Sequence, residues 1–291
     1  MTRNWLDRNL KWLFTLPAVL FVLVMMVFPI VYTFRLSFFE WSMSSVTPPK
    51  WVFLDNYIAL FKDVRFVHAI GRTFYFTVAA LTIETILGVA IALLFHREFI
   101  GKNIIKTLFL LPMVATPVAM GLVWLLMLEP TIGLANQVLA LFNIPPQEWL
   151  ASPAQVIPSL ILIDVWEWTP MISLIVVAGL SAMPKEPYEA AVVDGASQWQ
   201  NIWHVTLPLV RPTIMVAVML RLIDALKTFD IIYATTQGGP GFASETLNIY
   251  GYVLGFQYFR LGAASSMLMM FFALIMGCTI ALIWMRKRLE V

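Results

Sequence analysis

The sequence predicts an all-α integral membrane protein that crosses the bilayer six times, and three observations carry that prediction. Its 291 residues are 60% hydrophobic and only 12% charged, whereas soluble domains run near half apolar and about a quarter charged. Six segments, about 12–34, 70–95, 107–128, 156–180, 212–234 and 263–285, supply the ~20 apolar residues that a helix needs to cross hydrocarbon. The Lys and Arg residues, finally, are shared unevenly between the intervening segments, as orientation in a membrane requires. A soluble protein with buried helices would show helices of ~8–20 residues with polar faces instead.

The first segment follows Arg3, Arg8 and Lys11, and its apolar run extends from Trp12 past Val31. That exceeds the ~7–15 residues of a signal-peptide core, and no small-x-small cleavage pattern follows, so it reads as a retained first helix. In segment 37–65, WVFLDNYIALF reads as a short interfacial helix with Trp51, Tyr57 and Phe61 at headgroup level. Gly133, Asn143, Pro145 and Pro146 mark turns in the 129–155 loop. The Gly-Gly-Pro-Gly run of TTQGGPGFASETLNIYGY marks a tight, non-helical turn. No internal repeat or interdomain linker interrupts the chain, which reads as one helical transmembrane domain over 1–291.

With the N-terminus inside, the cytoplasmic segments hold eleven basic residues (Arg3, Arg8, Lys11, Arg97, Lys102, Lys106, Lys185, Arg211, Arg286, Lys287, Arg288). The external ones hold four (Lys50, Lys62, Arg65, Arg260). Both termini and the stretch 184–211 therefore face the cytoplasm. The lone Cys278 permits no internal disulfide. The net charge of +2 reflects topology and calls for no nucleic-acid partner.

Residues 186–212, EPYEAAVVDGASQWQNIWHVTLPLVRP, form a polar island. Pro187 suits a first helical turn, with Tyr188, Ala191 and Val192 on one face and Glu189 elsewhere. Gly195 ends that helix through a positive φ. Ser197 and Gln200 form a capping box that starts a second, which Leu207-Pro208 closes. Trp199, Ile202 and Trp203 make its apolar stripe. Such a pair is marginal alone in water. Its stripes suit either the membrane surface or a cytoplasmic partner protein.

The spacing Glu189-Ala190-Ala191, Gly195, Ile202, Leu207-Pro208 resembles the EAA signature of binding-protein-dependent ABC importer permeases. LDNYIALF (54–61), ALLFHREFIGK (92–102), LPMVATPVAMGLVW (111–124) and FDIIYATTQGGPGFASETL (229–247) extend the likeness toward the carbohydrate branch, the maltose-transporter-like first permease subunit. The resemblance implies the type I ABC importer permease fold and a cytoplasmic coupling helix. Its docking core is Glu189, Ala190, Ala191 and Gly195, with Asp194 and Ser197 beside it. It also implies the partners: a second homologous permease, two ATPase subunits, an extracytoplasmic solute-binding protein, and a sugar, polyol or glycoside as cargo. The setting is the bacterial cytoplasmic (inner) membrane.

No G-x4-G-K-[ST] phosphate loop occurs; Gly101-Lys102-Asn103 lacks the glycine spacing and the hydroxyl. The chain itself is expected to bind no cofactor, with ATP and magnesium on the partner ATPase. His68, His96 and His204 have neither metal-ligand nor triad spacing. The chain therefore reads as a transporter subunit, not an enzyme.

Ionisable residues at membrane depth are costly and point to function. They include Glu84, Asp164, Glu167, and a run of alternating sign, Arg221, Asp224, Lys227 and Asp230. That run neutralises itself along the helix, or Asp164 pairs with Lys227, since both lie ~10–12 Å below the external helix ends at 1.5 Å per residue. Asp164, Glu167, Trp168, Asp224 and Lys227 are the candidates for a solute pathway: rings cover C–H faces and carboxylates accept from hydroxyls. Arg221 or Lys227 would counter an anionic ligand. The rival reading is an ion-gradient-driven secondary carrier relaying protons through Glu84, Asp164 and Asp224. The EAA-like loop and the missing repeat symmetry speak against it.

Overall fold

The computed structural model describes residues 5–289, with side chains from 10 to 288; Arg3 and the Arg8 side chain, used above for orientation, lie outside that range. In chain order the elements are α1 (Trp5–Leu36), β1 (Phe39–Glu40), β2 (Lys50–Trp51), α2 (Asp55–Lys62), α3 (Val64–His96), α4 (Lys102–Val114), α5 (Pro117–Met127) and α6 (Leu134–Leu141). There follow α7 (Val156–Ser181), α8 (Glu186–Val193), α9 (Gln198–Asn201), α10 (Leu207–Leu226), α11 (Asp230–Thr235), α12 (Leu247–Tyr252) and α13 (Leu261–Leu289). Contacts divide the chain into two units, one of residues up to 64 with 251–273, the other of 65–250 with 274 onward.

The first unit holds α1, whose apolar stretch Leu10–Leu36 has no buried part. The β1–β2 ribbon, Phe39 opposite Trp51, is absent from the sequence reading. Trp51 accordingly sits in a strand, 5.0 Å edge-on to Phe39 and 5.6 Å from the Phe38 ring. Tyr57 is held within the protein. Its hydroxyl donates to Ser37 Oγ at 2.7 Å, and Asn56 Nδ2 donates to the Ser37 and Phe39 carbonyls at 2.9 Å. These bonds tie α2 to the ribbon, leaving Phe61 exposed. At Gly262 a Cβ would lie 1.9 Å from the Phe39 carbonyl oxygen, so only glycine lets the ribbon pass the start of α13.

In the second unit, α7 is the most enclosed span, with two thirds of its apolar window (67%) buried. Small residues let neighbours approach it closely. A Cβ on Gly88 of α3 would meet Ile172 at 2.8 Å, and one on Gly179 would meet Thr213 of α10 at 2.7 Å. Ala92, Ile172, Val176, Leu180, Val210 and Ala217 pack between these three helices.

Among the described residues four helices are long and apolar enough to cross a membrane, and α4 with α5 makes a fifth, bent by 99°. The bend follows from Ala115-Thr116-Pro117. Pro117 forces Thr116 into an extended conformation (ψ 134°) and serves as the first residue of α5, and Ala115 is extended too (ψ 156°). The expected span 212–234 is also broken: α10 ends at Leu226, and α11 begins at Asp230. With Arg211, Arg221 and Asp224 in it, α10 is too charged to qualify by composition alone. Gly121 brings the two broken spans together, a Cβ there lying 3.3 Å from Ala234.

Candidate functional site

Both breaks open onto one cavity of about 390 Å³. Pro117 lines it from the first break and Lys227, Thr228 and Phe229 from the second, while α7 contributes Asp164, Glu167 and Trp168. Non-helical backbone at membrane depth is tolerated where it faces protein or a water-filled space, and broken helices beside a cavity are a common plan for solute sites in transporters. The freed Lys227 carbonyl is satisfied by Asn248 Nδ2 at 2.5 Å. All five pathway candidates, Asp164, Glu167, Trp168, Asp224 and Lys227, line this one cavity.

Their charges pair along the helix only in part, and the expected Asp164–Lys227 pair is replaced by another. Arg221 is buried and binds across helices: Nε donates to Glu84 Oε2 at 2.8 Å and Nη2 to Glu84 Oε1 at 3.1 Å. Nη2 also donates to Asp164 Oδ2. Asp164 therefore pairs with Arg221, not Lys227: the planar guanidinium holds Glu84 bidentately and still donates from Nη2 to Asp164 Oδ2, a fork that an ammonium lacks. Along the helix only Lys227 and Asp224 pair, at 3.5 Å, both half-exposed. The Arg221 guanidinium carbon lies 5.2 Å from the Trp168 ring. Glu167 is 1% exposed, and neither of its carboxylate oxygens has a hydrogen-bond partner.

The polar island folds largely as its caps dictate. Pro187 sits in the first turn of α8. Gly195 takes φ +72°, with its N–H on the Val192 carbonyl (3.1 Å) and the Ala196 N–H on that of Ala191 (2.9 Å), a Schellman closure. Ser197 and Gln200 form the reciprocal capping box. One expectation fails: Leu207-Pro208 does not end the second helix. A π-helical turn, Ile202–Thr206, carries α9 directly into α10. The widened turn shifts the hydrogen-bond register just where Pro208 lacks an N–H. The result is one helical rod from Gln198 to Leu226, with Arg221 near its far end. Of the face predicted for α8, Ala191 is buried and Tyr188 half-buried, whereas Val192 is exposed together with Glu189, Ala190 and Asp194. Trp199 (72%) and Trp203 (62%) project outward.

Arg221 is the residue that sequence reasoning undervalued, placing it in a self-neutralising run or as a countercharge to an anionic ligand. The signal for its place between Glu84 and Asp164 was general: a buried arginine in a membrane helix demands acidic partners, without saying which.

The comparisons place this architecture. The model of the family described as "Binding-protein-dependent transport system inner membrane component" matches residues 84–287. The trehalose/maltose transport system permease protein of Thermococcus litoralis is 33% identical over 277 residues, 94% of this chain and 92% of that protein. The trehalose transport system permease protein of Mycobacterium tuberculosis is 33% identical over 275 residues, covering 94% and 85%. A solved bacterial transporter involved in import of the acidic polysaccharide alginate superposes with a TM-score of 0.85 at 23% identity, over 97% of each chain. This chain belongs to the binding-protein-dependent inner-membrane component family, as a multi-pass permease subunit of type I ABC importer fold and not an enzyme.

Proposed function

We propose that the chain carries a sugar, polyol or glycoside inward through the cavity between the two broken helices, driven by ATPase subunits docked on α8 and the turn after it. The observation that carries the reading is the convergence of Trp168, buried acceptor carboxylates and two interrupted spans on one cavity inside a permease. An aromatic face covers sugar C–H groups, and carboxylates accept from hydroxyls. Relatives named for trehalose and maltose support the cargo class.

The docking core is Glu189, Ala190, Ala191 and Gly195, flanked by Asp194 and Ser197. Short side chains seat a helix closely against a cleft, and the rod from Gln198 to Leu226 then transmits its displacement toward Arg221. ATP and magnesium bind the partner, and this chain needs no cofactor. Both termini and segment 184–211 lie in the cytoplasm of a bacterium. The assembly adds a second homologous permease, two ATPases and an extracytoplasmic binding protein, which segments 37–65 and 234–262 receive. A solved relative bears its binding protein in complex.

Trp168→Ala tests the path. In proteoliposomes holding the full importer, uptake of trehalose falls about tenfold, the scale of a lost aromatic platform, while ATPase subunits still co-purify. Unchanged uptake places the path elsewhere.

A further inference from the structure

We propose that the cavity selects solutes by charge, admitting uncharged and cationic ones and excluding anions, with Glu167 setting the sign. This deepens the proposed function and rests on its reading of the cavity as the solute path. Four acidic residues, Asp164, Glu167, Asp224 and Asp230, face two basic ones, Arg221 and Lys227, an excess of two acidic groups. Glu84, bound to Arg221, adds a third. Each basic residue already faces an acid, Arg221 bound by Glu84 and Asp164, and Lys227 3.5 Å from Asp224.

This pairing leaves over Glu167 and Asp230, of which Glu167 is the buried one. It lines the cavity, is buried, and has two unpartnered oxygens; Asp164 Oδ1 is unpartnered as well. A buried acceptor without a donor is unfavourable. A solute bearing O–H or N–H groups relieves that, whereas a carboxylate or sulfonate brings more acceptors to a site already in excess. Among the described residues no group of three or more His, Cys, Asp or Glu is placed to hold a metal ion, so the acidic excess is not a metal centre. The solved relative imports an acidic polysaccharide; the lining here runs against such a cargo, and the shared fold does not carry it over.

The test needs no knowledge of the natural solute. Cys278 is the chain's only cysteine, so Cys278→Ser with Thr228→Cys puts one thiol at an uncharged cavity position. The full importer in nanodiscs is treated with three methanethiosulfonates: trimethylammonium-ethyl, sulfonatoethyl and the neutral methyl reagent. Rates are normalised to a free thiol in solution. The cationic reagent should outpace the anionic one by on the order of a hundredfold, because one unit charge at roughly 10 Å with an effective permittivity of ~20 changes each rate about tenfold, in opposite directions. Glu167→Gln should reduce that ratio at least about threefold, and Glu167→Asp should preserve it, which separates charge from shape. If the neutral reagent reacts but the ratio is at or below one, charge selection is overturned and the cavity stands. A ratio unmoved by Glu167→Gln removes Glu167 from the role. Failure of all three reagents overturns the cavity reading and this inference with it.

Discussion

Replacing Ala190 with Trp should abolish coupled uptake while leaving the protein folded and inserted. Ala190 lies on the exposed side of α8, one residue from the buried Ala191 that anchors the helix. Ala190 is exposed, and exposed substitutions usually shift stability by only about 0.5 kcal/mol. Against a partner's cleft a bulky side chain there acts as a wedge. Interface positions at the centre of a close contact carry about 2 kcal/mol or more, so uptake should fall at least about tenfold, with ATPase co-purification weakened in parallel. Ala190→Ser, nearly isosteric, should leave both intact. The measurement is uptake and bound ATPase from the same membranes. Full uptake by the Trp variant would remove α8 from the coupling interface.

Replacing Arg221 with Met should be the most destabilising single change. It leaves Glu84 and Asp164, both buried to within 1%, with no cation between them. Breaking a buried pair by removing one partner costs about 3–5 kcal/mol, and here one cation serves two carboxylates. Thermal unfolding in nanodiscs should therefore begin well below that of the parent. The triple variant Arg221→Met, Glu84→Gln, Asp164→Asn should recover most of the loss, because neutral replacement of a whole buried network is often close to neutral in stability. If the single variant is as stable as the parent, the three side chains do not form the ion cluster. If the triple variant stays as unstable as the single one, the loss comes from packing and not from unpaired charge.

What the sequence made legible differs element by element. The bounds of α8 and the start of α9 could be read because they depend on local chemistry: a proline in the first turn, a glycine at positive φ, and a serine–glutamine capping box. The Arg221 pairing could not, because its partners lie 137 and 57 residues away and no local period encodes such distances. The helix breaks fall between these cases. Ala115-Thr116-Pro117 carries its signal in the proline, yet the surrounding apolar run hides it in a hydropathy reading. The second break has no proline or glycine within Lys227–Phe229, and tertiary contacts decide it, among them the Asn248 bond to the Lys227 carbonyl. The β1–β2 ribbon is too short to leave a periodic trace, so Trp51 reads as part of an interfacial helix although it sits in a strand. At Leu207-Pro208 a local rule gave the wrong result, since a π turn absorbs the proline that ordinarily stops a helix.

The central claim is that ATP turnover in a partner chain, not an ion gradient, drives solute through this permease. It is tested most directly by uptake, into proteoliposomes containing the complete importer, of the solute that its binding protein retains, with that binding protein outside and ATP within. Uptake should stop when vanadate traps the ATPases and persist when ionophores collapse the proton and sodium gradients. Uptake that continues under vanadate and stops with the ionophores would contradict the account, and would return Glu84, Asp164 and Asp224 to the role of a proton relay.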